Sequence, residues 1–351
     1  MKKIYTGVAI AALAASPAFA NKTEVSLYGL GHVSADNVDD GEDSSIYFAS
    51  NSSRLGLKGT HAIDESTSVV FQFESGLDPT AQGTNDGNGG AESEGQIFTK
   101  GRPSYIGLKG KFGTVLMGHM PALDQWANDF NLFADKVGDL GNLWEGSGIP
   151  GRMDNVTYYE TPDFSGINLA FTYSPEEGEE DGSDIIIKGS YAVDALKVGV
   201  ALANIGQGPT ADEEHEALAV VVQYDFGQFT VGGGFQSESN IGGTSGNDRD
   251  STYAAAKFKL SEQGSISVQY ALSSGDADDS DASQFAIGYD HILDDHLTVY
   301  AAYAMMKNDD NVQFSVNGKG HGDRVEPALG EDPSALSLGI IYSFDGVVFN
   351  Q

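Results

Sequence analysis

The chain's hydrophobic pattern has a period of two. In Ser265, Ile266, Ser267, Val268, Gln269, Tyr270, Ala271 and Leu272 every even position is apolar and every odd one is small or polar, the pattern of a β-strand with one apolar face. Ile167, Leu169, Phe171 and Tyr173 alternate in the same way with Asn168, Ala170, Thr172 and Ser174. So do Leu297, Val299, Ala301 and Tyr303 with their polar or small neighbours. Segments of this kind begin near Val25, Arg54, Ser68, Arg102, Val115, Asn155, Ile167, Asp184, Leu196, Ala217, Phe229, Thr252, Ser265, Gln284, Leu297 and Ala335. They predict about sixteen strands, an even number as a bacterial membrane barrel requires.

The connections alternate as well. Short ones carry turn chemistry, as at Asp64 to Ser66, Lys111 to Thr114, Phe164 to Gly166, Asp194 to Ala195, Phe226 to Gln228 and Ser261 to Gly264. Between them lie long segments rich in Gly, Asp, Glu, Asn and Ser, at about 75–100, 174–183, 205–215, 237–250, 273–283 and 308–333. This rhythm predicts an all-β fold: a transmembrane antiparallel up-and-down barrel with tight periplasmic turns and longer external loops. A soluble β-sandwich does not require it.

The first residues supply the export route. Lys2 and Lys3, an apolar run from about Val8 to Ala15, and Ser16 to Ala20 before Asn21 read as a secretory signal cleaved after Ala20. The division expected is residues 1–20 as signal and 21–351 as one barrel domain. The apolar run falls well short of the roughly 20 residues needed to cross a bilayer as a helix. Forty-five glycines in 351 residues exceed the usual share of roughly 7% and suit a turn-rich chain. With no cysteine, stability must come from strand closure and packing. The formal charge of −32 excludes nucleic acid as a partner, because phosphate binding needs Lys and Arg.

Enzyme signals are weak. There is no G-x-S-x-G elbow, H-E-x-x-H pair or Walker loop, and the seven histidines are scattered. The run Asp276 to Asp281 opens like a calcium loop but lacks the glycine at its sixth position and has Ile287 where the bidentate glutamate belongs. No metal and no cofactor are expected. The acidic loops would hold divalent cations only loosely.

Several stretches carry a family resemblance: Val25 to Gly29; Ser53 to Gly59; Tyr105 to Thr114; and Asn155 to Tyr159 followed by Pro162 to Gly166. Together they resemble the Gram-negative general porin family over essentially the whole mature chain. The resemblance implies a sixteen-stranded outer-membrane barrel, usually a homotrimer, embedded in lipid and lipopolysaccharide. Its third external loop, here Pro121 to Arg152, folds inward and narrows the pore. By motif position the basic wall residues are Arg54, Arg102 and Arg152. Alternation independently turns Arg54 and Lys58 to the lumen, since Leu55 and Leu57 must face lipid. Outward Pro103 and Tyr105 would put Arg102 inward too.

Within the loop, Trp126, Phe130, Phe133 and Val137 fall on one face of a short helix, with Asp124, Asn128 and Asp135 opposite. The aromatic face is expected to pack on the wall and the acids, Asp124 and Asp135, to face the pore; a sugar track is the alternative. The loop lacks the family's Glu-Phe-Gly-Gly stretch, and Leu30 and His119 replace charges common in relatives. Leu336 to Phe344 match the terminal pattern read by the barrel-assembly machinery, with Tyr342 and Phe344 as its signal, yet Asp345 to Gln351 follow. The function expected is a passive channel for small hydrophilic solutes. Loop acids should offset the arginines, leaving the acidic vestibule to impose a weak cation preference. A sugar-specific channel or a barrel hydrolase is the alternative.

Overall fold

The computed structural model describes residues 22–80, 101–121, 130–144, 151–175, 182–208, 211–322 and 325–351. The signal-cleavage residue Ala20 and the loop residues Asp124 and Trp126 lie outside them.

Seventeen strands follow in order: β1 (Thr23–Asp39), β2 (Ser44–Ser50), β3 (Arg54–Ala62), β4 (Thr67–Gly76), β5 (Ser104–Gly110), β6 (Gly113–Pro121), β7 (Arg152–Glu160), β8 (Ile167–Ser174), β9 (Asp184–Val193), β10 (Leu196–Ile205), β11 (His215–Asp225), β12 (Phe229–Ser239), β13 (Arg249–Lys259), β14 (Gly264–Gly275), β15 (Ala282–Ile292), β16 (Leu297–Asn308) and β17 (Ser334–Asn350). Both β2 and β3 pair with β1, the first with its outer half and the second with its inner half. They are one barrel strand broken at Asn51 to Ser53, where Ser52 has φ 53°. The second strand therefore starts at Ser44, ten residues before the alternation around Arg54 announces it. Counted so, sixteen antiparallel strands close through β1 and β17.

The period-two pattern separates the two faces. Leu336, Leu338, Ile340, Tyr342 and Phe344 are all exposed on the outer face of β17, as are Ile266-side neighbours Tyr270 and Leu272 on β14. The inward set of β14, Ser265, Ser267, Gln269, Ala271 and Ser273, is buried. Side chains lining an open lumen would be wet; Gln269 is covered by an external loop, bonding Gly138 O and the Leu132 amide, and two such loops fold inward.

One is the third loop. Its described part, Phe130 to Leu140, is a series of turns, and the α-helix α1 is confined to Gly141–Trp144. The helical face expected through Val137 therefore does not form in the described residues. Asp135 at φ 60° and Gly138 at φ 88° break any helical run there. Phe130, Phe133 and Val137 are nevertheless buried, because the turns lay all three against the wall.

The other is the last loop, between β16 and β17, for which the sequence predicts an external acidic segment. Val312, Ser315, Val316 and Asn317 are buried inside the barrel. Val316 O accepts the Gly138 amide at 2.8 Å, and Asn142 Nδ2 donates to Ser315 O. Val137 and Asn317 form a β-bridge. The third loop is thus held between the β14–β16 wall and the last loop.

The terminal residues form part of the barrel. β17 continues past Phe344, with Asn350 opposite Glu24 and Gln351 exchanging backbone hydrogen bonds with Thr23.

Candidate pore constriction

The register of β1, β3 and β4 stacks inward positions in rows. Leu30, Arg54 and Gly76 share one row, and Tyr28, Gly56 and Glu74 the next toward the periplasm. Glu74 is central. Its Oε2 accepts the Tyr28 hydroxyl at 2.8 Å and lies 3.8 Å from Arg54 Nε, while its Oε1 lies 3.7 Å from Arg102 Nη1. Arg54 also donates to Ser52 O at 3.1 Å. Glu74 and Arg102 are buried, with side chains 6% and 8% exposed; Arg152, at the start of β7, is exposed.

Arg102 reaches this site by another route than alternation predicts. Tyr105 faces inward, donating to Gln72 Oε1 at 3.0 Å, so the strand's parity would turn Arg102 outward. It is free of that parity because it precedes β5, in a bend after Gly101 at φ 87°. Lys58 does face the lumen, but one row further toward the periplasm, where it pairs with Asp345 of the terminal extension. It does not belong to the arginine cluster.

Asp135 comes from the third loop. Its Oδ1 accepts the Ser52 hydroxyl at 2.8 Å, and Ser52 Oγ also bonds Gly320 O of the last loop at 2.9 Å. Gly320 has no room for a side chain: a Cβ there would lie 2.0 Å from Asp135 Oδ1. The neighbouring Lys136 reaches the wall, pairing with Asp290 and standing 4.4 Å from the Tyr300 ring centroid. Asp139 turns back into the loop, accepting hydrogen bonds from the Asp135 amide at 2.7 Å, the Gly141 amide at 2.9 Å and Asn131 Nδ2. Burial, then the charge of Asp135, pushes its carboxyl up to about 7.

His119 does not stand in the lumen. It lies across from Ser104, itself opposite outward Phe73, and its Nδ1 meets Asp154 at 2.7 Å. A bulge between Gly118 and Met120 accompanies this turn of the strand. Tyr342 and Phe344 lie on the outer surface near the periplasmic end, their ring centroids 6.3 Å apart. Among the described residues no cluster of His, Cys, Asp and Glu is arranged to hold a metal ion.

Glu74 and the last loop are the elements that sequence reasoning missed. The same alternation that turns Phe71 and Phe73 outward places Gln72 and Glu74 inward. Val312, Phe314 and Val316 are three alternating apolar residues in an otherwise acidic loop, a sign of a segment with something to pack against.

The chain is 27% identical to outer membrane porin protein 32 of Delftia acidovorans over 362 residues, covering 96% of this chain and 99% of that protein. Its fold resembles the anion-selective porin from Comamonas acidovorans, with TM-score 0.77 and 23% identity over 92% of this chain and 100% of that one. It also resembles the trimer form of the Vibrio cholerae outer membrane protein OmpT, with TM-score 0.69 and 15% identity over 92% and 99%. The sequence profile described as Gram-negative porin matches residues 7–311. A closed sixteen-stranded barrel, narrowed by an inward loop and matched by that profile over most of its length, makes this chain a member of the Gram-negative porin family, an outer-membrane channel.

Proposed function

We propose that the protein is a passive, non-enzymatic diffusion channel for small hydrophilic solutes, exported by its N-terminal signal and assembled as a homotrimer, with an eyelet that favours anions. The observation that carries the sign is the charge placed at the constriction. Arg54 and Arg102 flank Glu74, and Arg152 and Asp135 lie close enough to Arg102 to act on its charge, so these five described residues carry one positive charge in excess, while Lys136 is neutralised by Asp290. Arg152 supports this because it is exposed and has no ion-pair partner among the described residues. The weak cation preference expected from sequence is not supported: it needed both loop acids, Asp124 and Asp135, to balance the arginines so that the acidic vestibule decided, and Asp124 lies outside the described residues. Asp135 is drawn to Ser52, and the arginines' nearest carboxylate comes from their own wall. The relative of similar fold described as an anion-selective porin agrees with this sign.

Purified protein in planar bilayers should form ohmic pores whose reversal potential in asymmetric salt near 0.1 M has the sign of anion preference. A cation preference under those conditions would overturn the reading of the eyelet, and absence of conductance would overturn the channel.

A further inference from the structure

Below the arginine cluster, on the same wall, the lumen carries a groove that polar diffusion does not require. Its volume is about 580 Å³. A barrel's inward positions are normally polar, and those of β14 are Ser, Gln and Ala. Here the inward face of β5–β7 is apolar and aromatic. Leu116 stands beside Tyr158 and lies over Gly107, where a Cβ would come 2.7 Å from Leu116 Cδ2. Tyr105 closes the upper edge, and Met120 and Pro121 extend the apolar surface toward the third loop.

The lower edge is charged. Lys109, Thr114 and Glu160 occupy one row on adjacent strands. Lys109 and Glu160 are therefore two strands apart, roughly 9–10 Å between Cα atoms. They do not pair with each other. Glu160 holds the Tyr158 hydroxyl on Oε2 at 2.6 Å and keeps its other oxygen open, and Lys109 has no ion-pair partner among the described residues. A cation and an anion held apart beside a hydroxyl can bracket a zwitterion, the lysine meeting a carboxylate and the glutamate an ammonium. The flexible Lys109 stem lets its ammonium approach a ligand seated on Glu160, whose two charges lie about 3 Å apart, with each contact a hydrogen bond of about 2.8 Å.

We propose that this groove is a binding subsite for zwitterionic α-amino acids with apolar side chains, the side chain lying on Leu116 and Gly107 between the two tyrosine rings. The proposal rests on the channel reading, because the lumen must admit the solute.

The test uses the detergent-solubilised full protein and four probes: L-leucine, glycine, N-acetyl-L-leucine and L-leucinamide. Binding is followed by saturation-transfer NMR, and current noise is recorded in bilayers alongside it. Leucine should bind saturably, and each of the other three, lacking side chain, ammonium or carboxylate, about tenfold more weakly. Glu160→Gln should erase the difference between leucine and N-acetyl-leucine, Lys109→Gln that between leucine and leucinamide, and Leu116→Ser that between leucine and glycine. Equal binding of all four probes, or unchanged ratios in the Glu160 and Lys109 variants, would overturn the proposal. Normal conductance with no leucine binding sinks the groove alone; absent conductance with leucine binding intact sinks the channel reading and leaves the groove standing.

Discussion

Glu74 sits within 4 Å of two guanidinium groups, a distance at which unit charges interact by about 1 kcal/mol even in water. Glu74→Gln keeps an acceptor for the Tyr28 hydroxyl while freeing both arginines, so the anion-to-cation permeability ratio should rise roughly fivefold, read from the reversal potential. An unchanged ratio would mean that Glu74 lies too far behind the arginines to be felt by a passing ion. Asp139 offers a second test, by pH. Its carboxyl is pushed up to about 7 in the folded loop, against about 3.9 when unfolded. An acid whose folded value is raised binds more protons when folded. The contribution of this carboxyl to stability is therefore greatest below about pH 4, falls as pH rises toward 7 and is level above it. Hydrogen exchange of residues 131–143, corrected for intrinsic rates, should show firmer protection at pH 5 than at pH 8. Asp139→Asn should remove that difference; its persistence in the variant would assign it to another group. Alternation alone gives the direction of Arg54 and of Glu74, because both lie inside strands. It fails at Arg102, which precedes its strand, and at Asp135, whose orientation depends on a left-handed backbone and on partners from two distant segments.

The last external loop acts on the third. Val316 is fully buried among Phe133, Val137 and Tyr300, and its carbonyl receives the Gly138 amide. A carboxylate at that position would be buried without a partner, at a cost of several kcal/mol, so Val316→Asp should expel the loop. Gly138 and Asn142 would then lose acceptors worth about 1 kcal/mol each, and the third loop would loosen. Conductance and current noise should both increase, with the β-sheet circular dichroism unchanged. A variant with ordinary conductance would show that the wall contacts alone, Gln269 to Gly138 O and Lys136 to Asp290, hold the third loop. The strands were legible in the sequence because a barrel strand has one apolar face and a fixed period, and fifteen of the sixteen begin within a few residues of where alternation places them. The exception is instructive: the outer half of the second strand, Ser44 to Ser50, alternates Ile46 and Phe48 with Tyr47 and Ala49, so its two faces hardly differ in polarity. The loops were not legible, since their fold depends on the wall they meet. The spacing of Phe130, Phe133 and Val137 identified residues that pack, but the same spacing is satisfied by turns that follow the wall's curvature.

At the scale of the whole molecule, a net charge of −32 surrounds an eyelet with a small positive excess, and ionic strength decides which of them an ion feels. The carboxylates are concentrated in the long external loops, as at Asp276, Asp278 and Asp279, which are solvent-exposed. At 0.01 M salt the Debye length is about 30 Å, so their field spans the outer vestibule and repels anions before they reach the arginines. At 0.15 M it falls to about 8 Å; the loops are screened while charges within 4 Å of the ion path still act. At 1 M it is about 3 Å and both are suppressed. Anion preference should therefore be weak in dilute salt, greatest near 0.1–0.2 M and weak again at 1 M. Because the loops lie at one end only, the dilute-salt loss should appear when the external bath is dilute and not when the periplasmic bath is. Changing Asp276, Asp278 and Asp279 to Asn should raise the preference in dilute external salt and leave the values near 0.15 M almost unchanged. A preference that declines steadily from dilute to concentrated salt, identical from both sides, would mean that the loop charges do not reach the conduction path and that the eyelet alone sets the sign.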